Sequence, residues 1–341
     1  MKNSSFKICD AVIQPGEVVN LALPLPDYNS CTSFYMPIKV VHGKNPGPCV
    51  LVFSGINGDE LNGIEIINRL IKLDSINNLN GTLIGIPIIN IPALVNPAFT
   101  AFEIKLEECF PGDEHGCYGE RIAHIFTQEI FSQATHIIEL TTGRLNDDIL
   151  PQIYCDISDS ESKLLAKKFS APVVSHNLKN SSLQSTANSL NIPMLIYKAG
   201  EAKRFDESAI NIGMKGIKNI LTELNMFIEN NDEDNAVKPI FSQQQDWVRA
   251  HRSGIFYNTL ALGSHVKKND FIGYIQDAFN ADISEPVKAN KDGIVVGINR
   301  NPLIFEGQNI FKLASFIDNS RAEISLEQWT NLQEILATNV D

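Results

Sequence analysis

The stretch Ser54–Gly63, SGINGDELNG, decides how the chain is read. In front of it stands CVLVFSG, a short apolar run ending in glycine, which predicts a buried strand. Behind it stands ELNGIEIINRLIKL, with Ile64, Ile67, Leu70 and Ile71 at helical spacing. Strand, polar glycine-containing turn and helix open a parallel α/β unit. Ligands of such sheets sit beyond the carboxyl ends of the strands, so Asn57–Glu60 falls where a site is expected.

The alternation continues outward from this turn. GTLIGIPIIN is β-branched and reads as a strand, GERIAHIFTQEIF as a helix and THIIELTTG as a strand. IPMLIYKAGE reads as a further strand and SAINIGMKGIKNILTELNMF as an amphipathic helix. Before the turn, FYMPIKVV and its neighbours read as edge strands. The acidic, Asn-rich IENNDEDNAVKP has no period and reads as a linker. Beyond it, SGIFYNTLALGSHVKKNDFIGYIQD and DGIVVGINRNPLIFEGQNIFKLAS resemble each other, a weak internal repeat of short strands. The expected organisation is an α/β domain over 1–228, a linker over 229–242, a β-barrel or sandwich over 243–317 and a tail helix over 318–341. Ser325 and Gln328 suggest a capping box for that helix, with Trp329, Leu332 and Leu336 on the face that docks on the body.

The chain has 341 residues, 43% hydrophobic and 20% charged, enough for a sizeable core. Its net charge of -12 disfavours nucleic acid and anionic membrane as partners. No run is apolar enough for a signal peptide or a membrane span, so a cytoplasmic protein is expected. The six cysteines are scattered, without a C-x-x-C pair, and read as free thiols.

A zinc hydrolase needs three protein ligands, an open position for water and a general base beside it. The ordered motifs of this chain resemble the succinylglutamate desuccinylase/aspartoacylase family, a branch of the zinc carboxypeptidase-like fold. SGINGDELNG is similar to the family's G-I-H-G-D-E-x-N-G turn, and IIELTTG to its I-D-L-H-T strand. FPGDEHGCYGERIAHIF is similar to the segment after its D-L-N-R motif, LPQIYCD to its P-Q-I-R, and the stretch around IYKAGE to its Y-E-A-G-E. The resemblance implies a carboxypeptidase-like mixed sheet flanked by helices, with a smaller C-terminal β domain.

The departures from the family fall on the chemistry. The first zinc histidine position carries Asn57 and the second carries Thr141, while the glutamate ligand is kept as Glu60. The D-L-N-R stretch stands as KLEE, which puts Glu108 at one substrate-binding arginine position. Tyr154 stands at the other, and Lys198 at the general-base glutamate. Neutral amide and hydroxyl oxygens suit zinc poorly. A charged lysine accepts no proton and repels a cation, and a glutamate repels the carboxylate that an arginine would clamp. Lys198 is instead expected to pair with Glu60, which would otherwise be a buried charge without a partner.

Plainer readings stand beside these. Asn57 suits a turn before glycine, Thr141 a strand-end hydroxyl bonded to backbone, and Glu60 a helix cap. His115 and Cys117 lack a metal-ligand spacing, and His124 and His136 read as structural. Cys109 has no histidine placed to activate it, and Lys198 as a Schiff-base nucleophile has no companion acid in the sequence. The expectation is a binding or regulatory protein with a degenerate zinc site and no cofactor. Its partner would be a small acyl-amino acid, a peptide-like ligand or an active paralogous subunit, with a homo-oligomer among the assemblies open to it. The alternative is a deacylase of N-acyl amino acids whose zinc is held by Glu60 and Asn57 with Glu107, Glu139 or His115. A scaffold subunit acting through the C-terminal β domain or the tail helix is a third reading.

Overall fold

A computed structural model describes residues 3–27, 33–95, 105–176, 182–227 and 238–338. The first strands, β1 (Phe6–Ile8) and β2 (Ala11–Ile13), form a separate antiparallel pair. Next come β3 (Val18–Pro24), β4 (Tyr35–His42), β5 (Asn45–Ser54), α1 (Leu61–Ile71), β6 (Asn80–Ile86), α2 (Ile91–Val95) and α3 (Tyr118–Glu129). After them run β7 (His136–Thr141), β8 (Asp147–Cys155), α4 (Ser160–Phe169), β9 (Val173–His176), α5 (Ser182–Ser189), β10 (Met194–Gly200) and α6 (Glu207–Glu223).

Strands β6, β5, β7 and β10 are adjacent and mutually parallel, and antiparallel strands extend the sheet on both sides. β5 feeds β6 on one side and lies beside β7 on the other, so the strand order reverses at β5. A crevice opens beyond the carboxyl end of a sheet at such a reversal. One core lies between the sheet and α1, α4 and α6, with Ile66, Ile67, Leu70, Phe169, Tyr197, Ile217 and Ile220 buried in it. The other face packs α3 and α5 through Phe53, Phe126, Phe131, Leu183 and Ala187.

Two glycines let the turn after β5 approach its neighbours. Gly58 has φ +79°, and a Cβ there would lie 2.6 Å from Ala93. Gly63 lies on α1 where a Cβ would stand 2.1 Å from Ser54 Oγ, the hydroxyl that donates to the Leu140 carbonyl at 2.7 Å. The helix therefore sits directly on the ends of β5 and β7.

The C-terminal strands are β11 (Ile240–Ser242), β12 (Gln244–Arg249), β13 (Gly254–Asn258), β14 (His265–Val266) and β15 (Phe271–Gln276). They continue with β16 (Ser284–Lys288), β17 (Gly293–Asn299), β18 (Leu303–Ile304) and β19 (Asn309–Ser315), and the chain closes on α7 (Asn319–Thr338). β16, β15, β13 and β18 form a four-stranded sheet. It shares a core of Phe256, Ile272, Ile275, Val295, Phe311 and Leu313 with β12, β17 and β19. The repeat seen in the sequence is a strand exchange. β13 pairs with β15 and β17 with β19, while short β14 crosses to β17 and short β18 crosses to β13.

Three boundaries differ from the sequence reading. Residues 240–242, placed in the linker, form β11 and pair in parallel with β9, because Ile240 and Phe241 pack against the main core. Residues 229–237 of that linker lie outside the described residues. The strands from β12 onward are not a detached unit, since β17 hydrogen-bonds to β8 and joins the main sheet. The tail helix starts at Asn319, so Ser325 is interior and its box with Gln328 does not form the cap. Asp318 instead accepts from the Arg321 backbone N–H at 3.0 Å. Trp329, Leu326 and Ala322 are buried against the main core, whereas the Leu332 and Leu336 side chains lie outside the described residues.

Candidate functional site

The turn after β5 and the end of β7 bring Asn57, Glu60 and Thr141 together. Glu60 precedes α1, but its carboxylate makes no side-chain capping bond to that helix. It turns back instead. Asn57 Nδ2 donates to Glu60 Oε1 at 3.0 Å and the Asn57 backbone N–H to Oε2 at 3.3 Å. Thr141 Oγ1 donates to the same Oε1. Burial raises the Glu60 pKa above its usual carboxylate value, and the Thr141 and Asn57 donors oppose that shift. The capping reading of Glu60 is therefore set aside, as is the turn-only reading of Asn57. The left-handed residues of the stretch are Gly55 and Gly58, not Asn57.

Lys198 lies on β10 directly beside Thr141 and opposite Gln152 of β8. One step back along the sheet, Glu139, Ile196 and Tyr154 stand in register. Side chains two apart on a strand share a face, so Glu139, Thr141, Lys198, Gln152 and Tyr154 line one wall. Among the described residues Lys198 makes no hydrogen bond and no ion pair. Burial lowers its pKa, while the charges of Glu60, Glu139 and Glu107 push it back up. Among the described residues no ion pair joins Lys198 to Glu60, whose oxygens take the Asn57 and Thr141 donors, although the Glu60 charge is the first that acts on Lys198. Glu139 has its pKa pushed up to about 8, by burial first and then by Glu60 and Glu107, with Lys198 opposing.

The two arginine positions behave differently. Glu108 is exposed and bound to Lys105 Nζ at 2.8 Å, whereas its neighbour Glu107 is the one that faces Lys198 electrostatically. The Tyr154 hydroxyl donates to Gln245 Oε1 at 2.9 Å and accepts from Lys312 Nζ at 2.8 Å. Gln245 Nε2 in turn donates to Gln152 Oε1 and to Ser175 Oγ, each at 2.7 Å. Lys312 and Gln245 come from β19 and β12, so the C-terminal strands furnish part of this wall. The sequence reading missed Gln152, Gln245 and Lys312. LPQIYCD was the only signal for the first, and none pointed to the others.

The remaining residues stay apart. His115 is exposed on the loop before α3 and takes no part in the Glu60 cluster. Cys117 caps α3, its sulfur facing the Glu120 N–H. Cys109 is pushed up to about 12, first by burial and then by the Cys117 thiol beside it. His136 is structural, 3.0 Å from Glu161 and 2.9 Å from Thr135. His124 lines a separate cavity of 520 Å³ with Cys9, Leu23 and Glu129, which shares no residue with this wall.

The donor set does not fit zinc. Asn57 and Thr141 offer only neutral oxygens, the Asn57 amide Nδ2 and the Thr141 hydroxyl already donate to Glu60, and an amine stands in register beside them. Among the described residues no group of three His, Cys, Asp or Glu side chains is placed to hold a metal ion.

The sheet reversal at β5, the turn and the wall agree with what comparison finds. Residues 46–224 match the succinylglutamate desuccinylase/aspartoacylase catalytic domain, more than half of the chain. The chain belongs to that family. A curated relative, N-alpha-acetyl-L-2,4-diaminobutyric acid deacetylase of Halomonas elongata, is 25% identical over 88% of this chain and 91% of its own length. A succinylglutamate desuccinylase/aspartoacylase from Rhodobacter sphaeroides superposes with TM-score 0.77 at 22% identity, covering 88% and 96% of the two chains. The product-bound ectoine utilization protein EutE (DoeB) of Ruegeria pomeroyi gives 0.76 at 21%, covering 87% and 95%. These last two establish the family fold. No helix among the described residues is long and apolar enough to cross a membrane.

Proposed function

We propose that this family member binds a small acyl-amino acid, a peptide-like ligand or an active paralogous subunit, and does not hydrolyse an amide through zinc. The observation that carries the reading is the bonding of Asn57 and Thr141 to Glu60, which joins the three positions directly where the family would place a metal between them. Lys198 supports it. An ammonium cannot take the proton of an attacking water, and the loss of a positioned base alone costs about 10²–10⁴-fold in rate. The free thiols among the described cysteines suit the cytoplasm, which belongs to the same proposal.

Family membership favours a second reading, a metal-dependent deacylase. One experiment separates the two. Purified protein is incubated with zinc, desalted and analysed for metal, then assayed for release of amino acid from N-acyl amino acids. Metal-free folded protein that is thermally stabilised by an N-acyl amino acid without cleaving it supports binding. About one zinc per chain, lost in Glu60→Ala and accompanied by hydrolysis, would establish the deacylase, since three-ligand catalytic sites hold a single ion.

A further inference from the structure

Cys109 and Cys117 stand at the two ends of the loop before α3, and their thiols are direct neighbours. The backbone brings these ends together. Cys109 closes the short helical turn Leu106–Glu108, its N–H bonded to the Leu106 carbonyl at 3.0 Å. Cys117 stands just before α3, its N–H bonded to Glu120 Oε2 at 2.8 Å. Between them the loop folds back on the same helix. The Asp113 N–H bonds to the Glu120 carbonyl at 3.2 Å. Gly112, at φ +92°, lies so close to α3 that a Cβ there would stand 2.1 Å from the His124 backbone nitrogen.

Neither thiol is sealed in the core. Both are half-buried, whereas Cys49 and Cys155 are buried and half-buried Cys9 has no thiol neighbour among the described residues. Among the described residues no third His, Cys, Asp or Glu completes a metal site with the pair. Two accessible thiols side by side, each able to resolve a mixed disulfide on the other, are the arrangement that thiol–disulfide exchange uses.

We infer that Cys109 and Cys117 form a reversible oxidation site that closes to a disulfide by exchange with a low-molecular-weight disulfide such as oxidised glutathione. One protein sulfur attacks a sulfur of the small disulfide. That S–S bond breaks, and one small thiol leaves with the proton the attacking thiol gives up. The second protein sulfur attacks the first within the mixed disulfide, and the other small thiol leaves with the second proton. Two protein thiols lose two electrons and one small disulfide becomes two thiols. Closure ties the turn that carries Glu107 to the start of α3. Glu107 faces Lys198 electrostatically and its carbonyl takes the Ser182 hydroxyl, so the bond fixes one rim of the wall. This holds whether the neighbouring site binds its ligand or cleaves it.

The test equilibrates the whole reduced protein, folded or in urea, with glutathione buffers of rising oxidised-to-reduced ratio, followed by acid quench and tryptic mapping. Lys105 and Arg121 bound a single tryptic peptide, residues 106–121, that holds both cysteines, so closure makes it lighter by two hydrogens. Folded protein should close at a ratio at least about tenfold lower than the chain in urea, where sequence separation alone holds the thiols together, and dithiothreitol should reopen it. Cys109→Ser and Cys117→Ser should each leave a glutathione adduct on the remaining cysteine of that peptide and no loss of two hydrogens. Closure favoured less than tenfold by folding overturns the inference, as does a folded protein that keeps both thiols, or carries glutathione on each, where the unfolded chain has closed.

Discussion

Thr141→Val tests whether the zinc positions hold one another. The change keeps the branched shape and removes the one hydroxyl that donates to Glu60 Oε1. Hydrogen bonds to charged groups contribute about 1.5–3 kcal/mol. Asn57 still supplies two donors to the same carboxylate, so the expected loss lies toward the lower half of that range, about 2 kcal/mol. At about 2–4 °C per kcal/mol for chains of 150–250 residues, the melting temperature should fall by at most about 4–8 °C. The pH dependence distinguishes this bond from general packing. Burial raises the Glu60 pKa above 4.5, so its protonation favours the fold and that contribution is lost as pH rises through the folded value. Removing the donor raises the folded value further. The deficit of the variant should therefore be full where Glu60 is ionised in the parent and shrink as pH falls toward 4.5. Thermal melts across that window decide it. A deficit equal at every pH, or none at alkaline pH, would refute the assignment of the bond to an ionised Glu60.

Asn57→His with Thr141→His and Lys198→Glu should restore a two-histidine, one-glutamate site, and elemental analysis should find about one zinc per chain, against none expected for the parent. Tyr154→Phe leaves Lys312 and Gln245 without their shared hydroxyl and should cost about 1–3 kcal/mol in urea unfolding. Gly63→Ala drives a methyl to 2.1 Å from Ser54 Oγ and should destabilise by at least about 1–3 kcal/mol, read the same way. Arg69→Ala removes surface ion pairs to Glu65 and Glu207 and should change stability by less than about 1 kcal/mol.

The sheet was legible because its strands and helices differ in period. CVLVFSG and THIIELTTG are short apolar runs buried on both faces, and the helix after SGINGDELNG carries its apolar residues at the spacing that covers β5 and β7. The convergence of Asn57, Glu60 and Thr141 was legible only through family resemblance, since 81 residues separate Glu60 from Thr141. What Glu60 bonds was not legible. Capping, pairing with Lys198 and bonding to Asn57 are all compatible with the same turn, and the folded arrangement of the turn and β7 decides among them. Lys312 and Gln245 reach Tyr154 from strands about 90 or more residues further along, through a pairing of β17 with β8 that no local pattern encodes.

The crossed short strands of the C-terminal repeats have a consequence for fragmentation. The Phe256 N–H bonds to Pro302 O at 2.7 Å and the Val295 N–H to Ser264 O at 2.9 Å, so each repeat completes the other's sheet. A nick in the exposed turn after Asp277, between the two, would leave both pieces short of a strand that only the other can supply. Such a cut should give fragments that remain associated and complement each other, while a chain shortened to a single repeat has no sheet of its own to close.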